Sequence, residues 1–185
     1  MQSRARWTTR ANALTLARAA SAPALAFAIA SGHALGAAGL FAFAVASDLA
    51  DGRIARRRGE ASPLGGLLDH ASDALCVTTG LGALASTGEV PIPLPWLVAA
   101  AFLQYVFDSR AAGSRGLWAS PLGRWNGIAY FVVVGIPVVR DALGLAWPGT
   151  PLVRALGWLL VASTLVSMAD RARALWAALR SRRGA

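Results

Sequence analysis

The chain has 185 residues, 56% of them hydrophobic and 15% charged, which excludes an ordinary soluble domain and points to a membrane solvent. Its formal charge of +9 comes from 18 arginines and no lysine, set in short clusters between long apolar stretches and not along one polar face. That distribution excludes a nucleic-acid groove binder.

Taken in chain order, stretches near the ~20 residues that cross a bilayer predict six helices, at 12–31, 34–57, 65–87, 94–112, 122–141 and 151–176. Arg4, Arg6 and Arg10 before the apolar stretch 13–30 resemble a secretory leader. Further apolar stretches follow almost at once, so the first is read as an uncleaved membrane helix. Breaks fall at Ser31-Gly32-His33, at 59–66 with Pro63, at 88–95, at 113–123 and at Trp147-Pro148-Gly149. The last two helices hold only 15 strictly uncharged residues each, 125–139 and 155–169, so Arg124, Arg140 and Arg154 must snorkel toward headgroups. Cys76 lies alone in an apolar run and reads as a small packed hydrophobe. The expected fold is all-α: one polytopic membrane domain over 1–185 with six transmembrane helices.

Arginine asymmetry sets the expected orientation. Placing the N-terminus inside puts 16 of the 18 arginines on one side and leaves only Arg140 and Arg154 outside. The positive-inside rule then assigns both termini to the cytoplasm of a cell (inner) membrane. The connection between the second and third helices faces the cytoplasm as well.

That connection carries the chemistry. The stretch 48–73 reads DLADGRIARRRGEASPLGGLLDHASD and holds Asp48, Asp51, Asp69 and Asp73, four of the nine acidic residues. Spacings of i,i+3 and i,i+4 put each pair on one helical face, with Cβ atoms ~5–6 Å apart. Two such faces brought together make a four-carboxylate cup. Carboxylates at a membrane edge repel one another and lose hydration, so a counter-charge is required. A hard divalent cation, Mg²⁺ or Mn²⁺, suits all-oxygen ligands, and two ions side by side suit a phosphoryl displacement. Gly52 and Ala55 leave room for a substrate against the backbone, and Arg56 offers a fork to a pyrophosphate. The plainer alternative, a solvated loop of Asp–Arg pairs, does not account for four carboxylates at these spacings with small residues between them.

The pattern D-x-x-D-G-x-x-A-R, eight residues, G-x-x-x-D-x-x-x-D resembles the signature of the CDP-alcohol phosphotransferases. Every fixed position is met, by Asp48, Asp51, Gly52, Ala55, Arg56, Gly65, Asp69 and Asp73. The N-terminal Asn12-Ala-Leu-Thr15-Leu-Ala-Arg18 is similar to that family too. The resemblance implies that Asp48, Asp51, Asp69 and Asp73 hold two metal ions, with Asp73 also the general base. It implies that Gly52, Ala55, Arg56, Ser62 and Gly65 contact the CDP donor, with Asn12 and Thr15 closing that pocket. The acceptor oxygen would attack the β-phosphorus of CDP-diacylglycerol or a similar CDP-alcohol, and CMP would leave. A homodimer is also implied.

In length the chain is most similar to the phosphatidylglycerophosphate synthases, which makes glycerol 3-phosphate the expected acceptor and inositol phosphate or another small alcohol the alternative. Their LDPxADK pattern is LDHASDA here, with His70 for Pro and Ala74 for Lys. His70 reads as a partly solvated polar residue or as an acceptor contact. Arg110, Arg115 and Arg124 are candidate partners of an acceptor phosphate, or arginines that only satisfy the charge bias. Two other classes compete: a small divalent-cation transporter, and a membrane scaffold with a degenerate site. The intact aspartates argue against the scaffold, and the apolar remainder of the first three helices argues against an ion path.

Overall fold

The computed structural model describes residues 10–58, 63–112 and 121–183. These form six α-helices: α1 Arg10–Ala30, α2 Ala34–Arg58, α3 Pro63–Ser86, α4 Pro93–Ala112, α5 Pro121–Ala142 and α6 Thr150–Arg183. All six predicted helices are present, and the largest departure is at α6, which runs seven residues further. Nothing after residue 176 breaks a helix before Gly184, and the extra turns carry their own support. Arg180 stacks on the Trp176 ring at 3.5 Å, one turn away.

The ends follow local chemistry. Helices α3, α4 and α5 each begin on a proline, whose missing N–H is not needed in a first turn. Helices α1, α3 and α5 stop in the same way at one end of the bundle. Gly32, Gly88 and Gly144 take positive φ, and the N–H groups of His33, Glu89 and Leu145 reach back to the carbonyls of Ala28, Leu84 and Arg140 at 2.8–2.9 Å.

Packing joins α1 to α2 and α3, α3 to α4, α2 to α5, and α6 to both α4 and α5. The main core is aliphatic, built on Leu25, Leu81, Leu94, Val134 and Val153, each nearly or fully buried. Small residues set the closest approaches. A Cβ on Gly135 of α5 would stand 2.9 Å from the Phe41 ring of α2, and one on Gly157 of α6 would collide with the Pro91 ring. A separate cluster of Ala22, Ala44 and Cys76 lets α1, α2 and α3 meet closely, confirming the thiol as packing. The large aromatic residues Trp96, Trp125 and Trp147 are exposed near helix ends, as membrane-interface anchors would be.

Four helices contain segments long and apolar enough to cross a membrane: Asn12–Ala30, Ala34–Ile54, Pro121–Ala142 and Thr150–Ala178. Helix α3 carries Asp69, His70 and Asp73 in its first half, which lowers its mean hydropathy.

The end opposite the aspartates is closed by a polar clasp. Arg140 Nη2 donates to Glu89 at 2.9 Å, its Nε to Asp141 at 2.7 Å and its Nη1 to the Pro148 carbonyl at 3.1 Å. Thr150 donates to the same Glu89 at 2.8 Å. The α3–α4 turn is thereby tied to the end of α5 and the start of α6.

Candidate active site

Helix α2 brings Asp48 and Asp51 to its last turns, and α3 brings Asp69 and Asp73 to its first. The two faces do converge. One carboxylate oxygen each from Asp48, Asp51 and Asp69 lies within 4.8 Å of the others, and Asp69, His70 and Asp73 form a second such group.

Between these carboxylates stands Arg18 of α1, with no exposed surface. Its Nη1 lies 2.9 Å from Asp48 Oδ1 and 3.3 Å from Asp73 Oδ1. Its Nη2 donates to Asp51 Oδ2 at 3.2 Å and also to Asp69 Oδ1. The remaining donor, Nε, goes to Ser72 Oγ at 3.0 Å. Ser72 in turn donates to the Thr15 carbonyl at 3.0 Å, and Thr15 Oγ1 donates to Asp51 Oδ2 at 3.0 Å. Helix α1 is thus stitched to α2 and α3 through the site itself. The small Ala22, Ala44 and Cys76 lie about one turn deeper on α1, α2 and α3, and the close approach they permit brings the three elements within reach of one guanidinium.

The donor set fits a hard divalent cation. It is oxygen-rich, drawn from four carboxylates, and the Asp73 Oδ1 atom is buried with no hydrogen-bond partner. Four carboxylates around one guanidinium would, when ionised, leave an excess of negative charge in a partly buried place, which cations would offset.

The other predicted contacts divide by position. Asn12 and Thr15 are buried on α1 beside the cup. Gly52 follows Asp51 on α2, and Gly65 lies in the first turn of α3, both partly buried. Ala55 and Arg56 continue α2 toward the same end, and their side chains lie outside the described residues, as does the whole of Ser62. Arg110 is on the last turn of α4 with its side chain outside the described residues, and Arg115 lies wholly outside them.

Arg124, exposed in the first turn of α5, stands on the wall of a cavity of about 530 Å³ that adjoins Asp48 and Asp73. Helices α3, α4, α5 and α6 all contribute to it. Its deeper wall is largely apolar, with Val77, Val98, Phe102 and Phe131, while Arg124, Arg171, His70 and Tyr105 supply polar groups. The Tyr105 ring holds two of these in place: His70 meets it edge-on at 5.6 Å between centroids, and the Arg171 guanidinium lies 4.9 Å from its centre. Tyr130 and Thr164 share a 2.6 Å hydrogen bond across α5 and α6 on the same wall.

Sequence reasoning missed Arg18 and Arg171 as site residues. Arg18 had a readable signal, because it is the only Asp, Glu, Lys or Arg between Ala11 and Ser47, and a lone charge in a membrane helix is functional by default. Arg171 had none, since it is one of several arginines at a basic end.

The chain is similar to known proteins. Proteins of Mycobacterium bovis and Mycobacterium tuberculosis, both provisionally named cardiolipin synthase, are 35% identical to the chain over 156 residues, covering 80% of it and 71% of their own length. No solved structure matches the chain significantly. The sequence profile described as CDP-alcohol phosphatidyltransferase matches residues 8–169, a span that includes the Arg18 helix, the four aspartates and most of the cavity wall, and the chain belongs to that family.

Proposed function

We propose that this chain transfers a phosphatidyl group from CDP-diacylglycerol to the hydroxyl of a glycerol phosphate, releasing CMP, at the cytoplasmic face of a cell (inner) membrane. The observation that carries this reading is the convergence of all four motif carboxylates beside a cavity large enough for a headgroup. All six helices span the bilayer in this reading, both termini lie inside, and the enzyme works as a homodimer.

Asp48, Asp51, Asp69 and Asp73 would hold Mg²⁺ or Mn²⁺, which when bound supplies positive charge to the donor diphosphate. Asp73 lines the cavity where an acceptor enters, so its carboxylate receives the hydroxyl proton as the acceptor oxygen attacks the β-phosphorus. The bond from that phosphorus to the CMP oxygen breaks, and CMP leaves with the electron pair. Gly52 and Gly65 would leave the backbone open to the nucleotide, and Ala55, Arg56, Ser62, Asn12 and Thr15 are the family-implied contacts to it.

At the acceptor end, Arg124 and Arg171 bind the phosphate of the glycerol phosphate. Glycerol 3-phosphate, the acceptor expected from sequence, satisfies that chemistry. The apolar wall of Val77, Val98, Phe102 and Phe131 favours a lipid whose phosphate is esterified to diacylglycerol, phosphatidylglycerol, and so does the name of the mycobacterial relatives. Making cardiolipin from a CDP-activated donor requires that acceptor. A cation path is disfavoured by the packed Ala22, Ala44 and Cys76 beyond the cup.

Purified protein in detergent, given CDP-diacylglycerol and Mg²⁺ or Mn²⁺, is tested with phosphatidylglycerol, glycerol 3-phosphate, inositol phosphate and serine, with CMP and the lipid product read by mass. Cardiolipin identifies the diacylated acceptor, and phosphatidylglycerophosphate the small one. Protein that binds CDP-diacylglycerol yet releases no CMP with any acceptor would be a scaffold, and the proposal would fail.

A further inference from the structure

Arginine 18 does more than fill space beneath the site. It is fully buried, and it spends its donors on Asp48, Asp51, Asp69 and Ser72, with Asp73 in ion-pair range. A side chain that merely closed a helix interface would need one carboxylate, not four from two helices. The oxygens it touches belong to the same carboxylates that group as cation ligands. A guanidinium and a divalent ion compete for lone pairs on shared oxygens, and each reduces the attraction the other feels.

We propose that Arg18 is a positioning residue that acts as the internal counter-cation of the carboxylate cup. It holds the four aspartates together before a metal arrives, and it weakens the metal's grip so that the ion is held for catalysis without being locked in. This inference rests on the reading of the aspartates as a cation site. Two opposite effects follow from removing the charge. Without divalent metal the cup loses its only buried cation among the described residues, and the fold becomes dependent on added metal. With metal present, the ion no longer shares its ligands, and binding tightens. A purely structural arginine would give a different pattern, with lower stability in every condition and metal binding weakened or unchanged.

The test uses the full-length protein in detergent, with Mn²⁺ alone as probe. Mn²⁺ binding is followed by electron paramagnetic resonance, and thermal unfolding is followed in EDTA and in Mn²⁺. In Arg18→Met, Mn²⁺ should bind on the order of tenfold more tightly than in wild type, and the gap between unfolding temperatures in Mn²⁺ and in EDTA should widen. Equal or weaker Mn²⁺ binding would overturn the proposal while leaving the metal site standing. Wild type that binds no Mn²⁺ would remove the metal reading and this inference together. Should Arg18→Met fail to fold even in Mn²⁺, Arg18→Gln decides. Glutamine keeps polar hydrogen-bonding groups but carries no charge, so tighter Mn²⁺ binding than wild type is again expected, and its absence overturns the proposal.

Discussion

Asp73 Oδ1 lies 3.3 Å from Arg18 Nη1 yet makes no hydrogen bond to it or to any other described group. Asp48, Asp51 and Asp69 each accept a hydrogen bond from the same guanidinium. Asp73 thus keeps a buried oxygen free of any hydrogen bond, and it lines the cavity, as the proposed base would.

Replacing it gives the sharpest check on the proposed base. Asp73→Asn should lower kcat by about 10²–10⁴ while CDP-diacylglycerol binding stays measurable by calorimetry. Turnover within a few-fold of wild type would take Asp73 out of that role.

Arg124 and Arg171 are expected to act on the acceptor alone. A charge-assisted hydrogen bond is worth ~1.5–3 kcal/mol, so alanine at either position should lower kcat/KM for the acceptor by roughly 10–100-fold. The KM for CDP-diacylglycerol should remain unchanged in the same steady-state series. Equal losses for both substrates would place these arginines elsewhere in the reaction.

Chelation tests the fit of the donor set. EDTA should stop CMP release completely, and Mg²⁺ or Mn²⁺ added back should restore it, whereas Ca²⁺, which is larger and takes more ligands, should restore less. CMP release that persists after exhaustive chelation would show that Arg18 and the aspartates work without metal.

The clasp at the other end should separate stability from activity. In Glu89→Ala, Arg140 and Thr150 lose a shared partner in a mostly buried place, at a cost of about 1–3 kcal/mol. Thermal unfolding should move down accordingly, and turnover assayed well below that temperature should match wild type. A loss of turnover with unchanged unfolding would mean that the two ends are coupled.

The helices were legible because the apolar runs are long and the punctuation is strong: proline begins three of them and a positive-φ glycine ends three. The four aspartates were legible because i,i+3 and i,i+4 spacings fix which side chains share a face. Arg18 lay 30 residues before Asp48 and 51 before Asp69, and no local rule joins residues so far apart. Only the packing of α1 onto α2 and α3 brings them together. The cavity was equally out of reach, since its wall is assembled from residues of five helices, α2 to α6, far apart in the chain. The predicted end of α6 at 176 falls short because the uncharged run ends at Ala169, although Ala177, Ala178 and Leu179 and most of the residues that follow are good helix formers.

Helix α6 has 34 residues, a length of ~51 Å at 1.5 Å per residue, whereas hydrocarbon accounts for only ~30 Å of a bilayer. In the proposed orientation its surplus turns would project past the lipid tails on the side where Arg171 meets the cavity, and they would add Arg173, Arg180, Arg182 and Arg183 there. Basic residues near an acidic leaflet attract it by about 1 kcal/mol each. Anionic lipids diffusing in two dimensions would therefore collect around the entrance, raising the local supply of nucleotide-activated substrate before any specific recognition begins.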